Sequence, residues 1–141
     1  MAQVLIVESD EAIRETIRYI LEDAGHIVIE IRSHAEALAF LRRSSSCHVV
    51  LFDRGVQENC DLAFVAAISR DEVLSTRHAY ICLTTTPEYL RSAESGVYER
   101  LAIPTLAKPF DINDLEEAVR QSALLCRLMP SQQTVEPTGT N

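Results

Sequence analysis

Four points in the chain carry side chains that could act together on phosphorus. Glu8, Ser9 and Asp10 follow the apolar run Val4-Leu5-Ile6-Val7, and Asp53 follows His48–Phe52. Thr84, Thr85 and Thr86 follow Ala79–Leu83, while Lys108, with Pro109 and Phe110 behind it, follows Thr105–Ala107. A carboxylate near a lysine and a divalent-cation site suits phosphoryl transfer. The aspartate oxygen attacks phosphorus, cation and ammonium neutralise the equatorial oxygens, and a hydroxyl adds a hydrogen bond. A hard cation held by few carboxylates and several waters is typical of Mg2+. Each residue also has a plainer role: Asp10 as a helix cap, the threonines as a polar turn, Asp53 as a turn residue, Lys108 as a solvated charge. Capping accounts for neither Asp53 nor Lys108, and all of these groups follow apolar runs at the same end.

The elements between these points decide whether they can meet. Gln3–Val7 is short and apolar on both faces, as a buried parallel strand is. Asp10 precedes Ile13, Ile17, Ile20 and Leu21 at helical spacing and caps that helix, which Gly25 ends. His26–Ile31 is a second strand with partial alternation. Ser33-His34-Ala35-Glu36 is a capping box opening a helix lined by Ala37, Leu38 and Leu41. His48–Phe52 is the third strand, and Asp61–Arg70 a helix with Leu62, Val65, Ala66 and Ile68 apolar. After the fourth strand, Ala79–Leu83, Thr86-Pro87 starts a helix carrying Tyr89, Leu90, Ala93 and Val97. Thr105–Ala107 is a short fifth strand, and Asp111 caps a last helix with Ile112, Leu115, Val119 and Leu125 or Cys126 on one face. Five strand–helix alternations predict a doubly wound α/β domain, a parallel sheet in the flavodoxin-like order 2-1-3-4-5 with helices on both faces. Ligands of such sheets bind beyond the carboxyl ends of the strands, where the residues above fall.

Composition narrows the rest. The 141 residues carry 13 Lys and Arg against 21 Asp and Glu, a formal charge of -8. That balance disfavours direct nucleic-acid binding, which needs clustered basic residues, and suits Mg2+ or a basic or helical protein partner. The apolar runs are strand-sized, far below the ~18 residues of a spanning helix, and no secretory signal is visible, so a cytoplasmic protein without a membrane segment is expected. Cys47, Cys60, Cys82 and Cys126 form no C-x-x-C pair and read as reduced thiols, Cys82 in the core. His26, His34, His48 and His78 show no ligand pattern and read as surface or strand-edge residues. One domain over 1–128 is expected, followed by a polar, flexible tail over 129–141 with two prolines and a glycine. No glycine-rich phosphate loop follows the first strand, so a nucleotide or flavin site has little support.

The segments V-L-I-V-E-S-D-E-A-I-R, H-V-V-L-F-D, I-C-L-T-T and L-A-K-P-F-D, in this order and spacing, resemble the receiver domain of two-component response regulators. The resemblance covers about Gln3 to Cys126, and its most specific part is Lys-Pro-Phe after a short apolar strand. It implies that Asp53 is the phospho-acceptor, that Thr84 is the hydroxyl residue that moves to the phosphoryl group, and that Lys108 is the stabilising lysine. It implies Mg2+ held by Glu8, Asp53 and the backbone carbonyl of Gly55, and a cis peptide at Pro109. The implied donor is a phosphohistidine on a sensor histidine kinase or phosphotransfer protein, or a small phosphodonor. The domain signals and is not an independent enzyme: at most it catalyses its own phosphorylation and dephosphorylation. Its output is a changed protein-binding face toward a separate downstream partner. By analogy a homodimer would use the helix 4–strand 5–helix 5 face, where Tyr89, Leu90, Val97 and Tyr98 are candidates.

The sequence departs from the family pattern at several places. Ser9 replaces the usual second acid, which lowers the expected Mg2+ affinity, unless Ser9 or Asp10 reaches the metal through water. It also relieves charge crowding at Asp53. Thr105 stands where many receivers carry an aromatic switch residue, three before the lysine. Arg54 adds a positive charge after the acceptor. Retention of Asp53, Thr84 and Lys108 favours a working phospho-acceptor. Ser9 and Thr105 favour the alternative, a pseudo-receiver that binds partners without phosphorylation.

Overall fold

The computed structural model describes residues 2–53, 60–84, 103–107 and 110–127. The described elements are β1 (Gln3–Val7), α1 (Glu11–Asp23), β2 (Ile27–Ile31), α2 (His34–Arg43), β3 (Val49–Asp53), α3 (Cys60–Arg70), α4 (Glu72–Arg77), β4 (Ala79–Thr84), β5 (Thr105–Ala107) and α5 (Ile112–Arg127). The strands form one parallel sheet in the order β2-β1-β3-β4-β5, as the alternation predicts. The helix expected after Thr86, and the tail, lie outside the described residues.

Alternation along the strands divides the core in two. Val4 and Ile6 of β1, Val49 and Leu51 of β3, and Ile81 and Leu83 of β4 pack with Ile17 and Leu21 of α1 and Leu115 and Val119 of α5. The intervening residues Leu5, Val7, Val50, Phe52, Tyr80 and Cys82 pack with Ala37 and Leu41 of α2, Phe64, Val65 and Ile68 of α3, and Leu74 of α4. The central strand β3 is buried along its whole length because both faces are covered.

Local signals set the helix ends. Asp10 Oδ1 accepts the Ile13 N–H at 3.1 Å and Ser33 Oγ accepts the Glu36 N–H at 3.2 Å, so both residues cap as expected. Gly25 takes φ 94°, a left-handed conformation suited to a residue without Cβ. Its N–H bonds the Glu22 carbonyl while the His26 N–H bonds that of Leu21, closing the helix in a Schellman motif. In α5, Asp111 Oδ1 accepts the Asn113 N–H at 2.9 Å.

Several expectations need correction. The short helix α4 was not foreseen. It is set by Asp71, whose Oδ1 accepts from the N–H groups of both Val73 and Leu74. These backbone bonds, Leu74's foremost, hold the Asp71 carboxyl below the usual range, with Arg42 helping. Ile112 is exposed, so the apolar stripe of α5 starts at Leu115 and ends at Cys126 rather than at the exposed Leu125.

The cysteines and histidines differ more. Cys47, just before β3, and Cys126, near the end of α5, are joined in a disulfide with Cα atoms 5.7 Å apart. They are 79 residues apart in sequence, so only the packing of α5 over the sheet brings them together. Cys82 is buried in the core and outside the disulfide, as expected. His48 and His78 are buried rather than peripheral. His78 Nε2 donates to the Leu41 carbonyl at 3.2 Å while its Nδ1 accepts the His48 N–H at 3.1 Å. Burial, foremost, lowers the pKa of both imidazoles, that of His78 to about 4.

Candidate functional site

The register of the sheet builds the site. β1 and β3 pair Val4 with Val49 through Val7 with Phe52, so the next residues, Glu8 and Asp53, come level on adjacent strands. Both continue the face that carries Val4, Ile6, Val49 and Leu51, toward α1 and α5. Both are buried, Glu8 to 1% and Asp53 to 7% relative exposure. Two carboxylates side by side at the carboxyl ends of central parallel strands repel one another, and a cation relieves that repulsion.

Each is held by its surroundings. The Asp10 N–H donates to Glu8 Oε2 at 3.2 Å, so the chain turning into α1 grips the Glu8 carboxylate. The Glu8 carbonyl accepts from Arg14 Nη1 at 2.8 Å. Arg14 also donates from Nε to Glu30 Oε1 at 2.9 Å, and Arg18 pairs with Glu30 Oε2 at 2.7 Å. The Arg14 side chain is only 6% exposed, so a buried guanidinium ties the first site strand to α1 and to β2. Nothing in the hydropathy pattern distinguishes Arg14 from a solvated helix residue. On the other side of β3, His34 Nε2 meets the Asp53 carbonyl oxygen at 3.2 Å.

The remaining candidates fall in three groups. Ser9 is exposed beside Glu8. Asp10 is exposed and its carboxylate is engaged in capping, so it serves the helix rather than lining the pair. Thr84 ends β4, one residue beyond Leu83, the register partner of Asp53, and Thr84 itself pairs with Ala107. Thr105 opens β5 opposite Cys82 and is exposed. Gly55, Lys108 and Pro109 lie outside the described residues, as do Tyr89, Leu90, Val97 and Tyr98. β5 ends at Ala107, the residue before Lys108, beside Thr84 on β4.

Among the described residues no group of three or more His, Cys, Asp and Glu side chains gathers as a metal site. The Glu8–Asp53 pair is a hard, all-oxygen donor set of two carboxylates. That fits Mg2+, which takes one or two carboxylates and keeps several waters, better than Zn2+, which wants nitrogen or sulfur. No helix among the described residues is long and apolar enough to cross a membrane.

Comparison with known proteins agrees with this fold. The family model described as response regulator receiver domain matches residues 4–120. A CheY-like response regulator receiver domain protein from Methanospirillum hungatei JF-1 superposes with TM-score 0.75 at 27% identity, covering 89% of this chain and 97% of that one. The chemotaxis response regulator CheY4 of Vibrio cholerae gives TM-score 0.70 at 24% identity, over 86% of this chain and 98% of its own. A response regulator receiver domain protein from Clostridium thermocellum gives 0.75 at 21% identity, over 91% and 98%. These last two speak to the fold. No curated protein matches the sequence.

Proposed function

This chain belongs to the response regulator receiver domain family, and from that premise we propose that it accepts a phosphoryl group on Asp53. The observation that carries the reading is the level, buried pairing of Asp53 with Glu8 at the carboxyl ends of β3 and β1. The domain is a signalling module whose donors are a sensor histidine kinase or a phosphotransfer protein. Its working compartment is the cytoplasm, and the domain spans 1–128.

In the transfer, a carboxylate oxygen of Asp53 attacks the phosphorus of a phosphohistidine. The P–N bond breaks as the P–O bond forms, and the imidazole leaves with the bonding pair. Glu8 and Asp53, with the Gly55 carbonyl that the family resemblance adds, would hold Mg2+, which would neutralise charge on the phosphoryl oxygens. Lys108 supplies a second positive charge and Thr84 a hydrogen bond. Burial of Asp53 excludes bulk water from one side of the acceptor, so the ammonium and hydroxyl act in a medium of lowered dielectric. The new dianionic group then biases the loop after β4 and the β5–α5 face, which presents the signal to a downstream protein or a second copy of the chain.

Ser9 supports a second reading. A neutral hydroxyl at the position of the usual second acid weakens cation binding. A receiver that binds partners constitutively would retain the fold without regulated transfer. Intact mass after incubation with acetyl phosphate, with and without Mg2+, separates the two. A Mg2+-dependent adduct on the wild type that is absent from Asp53→Asn supports the acceptor. No adduct at high Mg2+ supports the constitutive module.

A further inference from the structure

We infer that His34 is a positioning residue for Asp53, an inference that rests on the acceptor reading above. His34 is the first residue of α2, and its imidazole reaches across to the end of β3. Nε2 lies 3.2 Å from the Asp53 carbonyl oxygen. A carbonyl can only accept, so this nitrogen carries the proton and donates.

The ring is fixed before it makes that bond. It stacks on Phe64 of α3 with centroids 4.8 Å apart and planes 25° from parallel. Phe52, the residue before the acceptor, meets it edge-on at 6.3 Å and 79°. Phe52 and Phe64 are themselves packed together at 5.0 Å in the core on the α2/α3 face of the sheet. The imidazole is thus clamped between two core rings, and its donor aims at one main-chain oxygen.

That oxygen matters because the Asp53 carbonyl sets the peptide plane leading out of β3. The same Cα carries the carboxylate that takes the phosphoryl group. Fixing the plane restricts ψ of Asp53, and with it the direction from which the carboxylate oxygen can approach phosphorus in line. A misplacement of an ångström at such a centre is enough to slow transfer. His34 acts from the α2/α3 face, while Glu8 lies on the α1/α5 face. The acceptor strand thus has a fixed donor on one face and the Glu8 carboxylate on the other, and α2 is coupled to the site by one bond.

The experiment compares rates of phosphoryl adduct formation on wild type, His34→Phe and His34→Gln, using acetyl phosphate with Mg2+ and intact mass as readout. His34→Phe keeps a ring against Phe64 and removes the donor, and His34→Gln restores an N–H donor of similar reach without the ring. The expected result is a rate constant at saturating acetyl phosphate lowered about three- to tenfold in His34→Phe, the size of one neutral hydrogen bond. The half-saturating donor concentration stays unchanged, and His34→Gln recovers most of the rate. If His34→Phe fails to fold, His34→Leu makes the same comparison. A wild-type rate in His34→Phe overturns the inference, as does an equal loss in His34→Gln, because a restored donor would then restore nothing. No adduct on the wild type overturns the acceptor reading itself, and this inference with it.

Discussion

His78 is locked into a single neutral tautomer by His48: its Nδ1 accepts the His48 N–H at 3.1 Å while its Nε2–H bonds the Leu41 carbonyl. Protonating Nδ1 would place a charge in a buried pocket and break the bond to the start of β3. Burial foremost, then the nearby His48 and Arg77, lowers the His78 pKa to about 4 from 6.5. An unfolded chain binds this proton at higher pH than the folded one, so stability falls as the pH drops. The contribution is complete above pH 6.5, declines between 6.5 and about 4, and changes no further below. Between pH 8 and 5 the loss is about 2 kcal/mol from this group. Urea unfolding at the two pH values measures it, and His78→Gln flattens the profile. An unchanged profile in that variant would sink the assignment.

The Cys47–Cys126 bond closes a loop of 79 residues in sequence separation. The chain-entropy model gives such a loop about 4.5 kcal/mol of stabilisation. Adding dithiothreitol should lower the melting temperature by roughly 15 °C. Cys126→Ser should melt at the lower temperature with or without reductant. A reducing compartment works against the bond, so the domain's stability there depends on thiol redox state. Identical melting of oxidised and reduced protein would count against the cross-link.

Ser9→Asp adds a carboxylate next to Glu8 and should tighten Mg2+ binding by about tenfold, following the attraction of one further charge at partial exposure. Titration calorimetry checks this. Asp10→Ala should leave Mg2+ affinity near wild type and remove about 1 kcal/mol of stability, because Asp10 caps α1 through the Ile13 N–H. A large loss of Mg2+ binding in Asp10→Ala would instead make Asp10 a ligand.

Arg14→Met should destabilise the fold by about 1–3 kcal/mol, because the Glu8 carbonyl and Glu30 lose a buried donor together. Arg14→Lys should recover little of it, since one ammonium cannot span both acceptors as the guanidinium fork does. Chemical denaturation of the two variants decides between a fork and a simple charge.

The sheet was legible in the sequence because its signals are local and apolar. Val4–Val7 and His48–Phe52 announce buried strands, and Asp10, Ser33 and Asp111 announce helix starts, all within a few residues of chain. Glu8 and Asp53 were legible for a related reason. Each is the first charge after a buried run, and parallel register does the rest. What escaped was long-range. The pairing of Cys47 with Cys126 depends on where α5 lands. Burial of His48 and His78 depends on the meeting of α2 and α4 beneath the sheet. The reach of Arg14 depends on the angle of α1 over β1 and β2. Helix α4 escaped because its six residues hold too little periodicity to see, although Asp71 marked its start.

The cross-link at Cys47 also changes how the domain would respond to force. Tension applied to the chain beyond Cys126 does not have to peel α5 from the sheet one turn at a time. It passes through the covalent bond to the residue just before β3, the fully buried central strand. Load arriving there is shared by the hydrogen-bond ladders to β1 and β4 on either side. In the oxidised protein α5 is thus bypassed, and the strand that ends in Asp53 carries the tension.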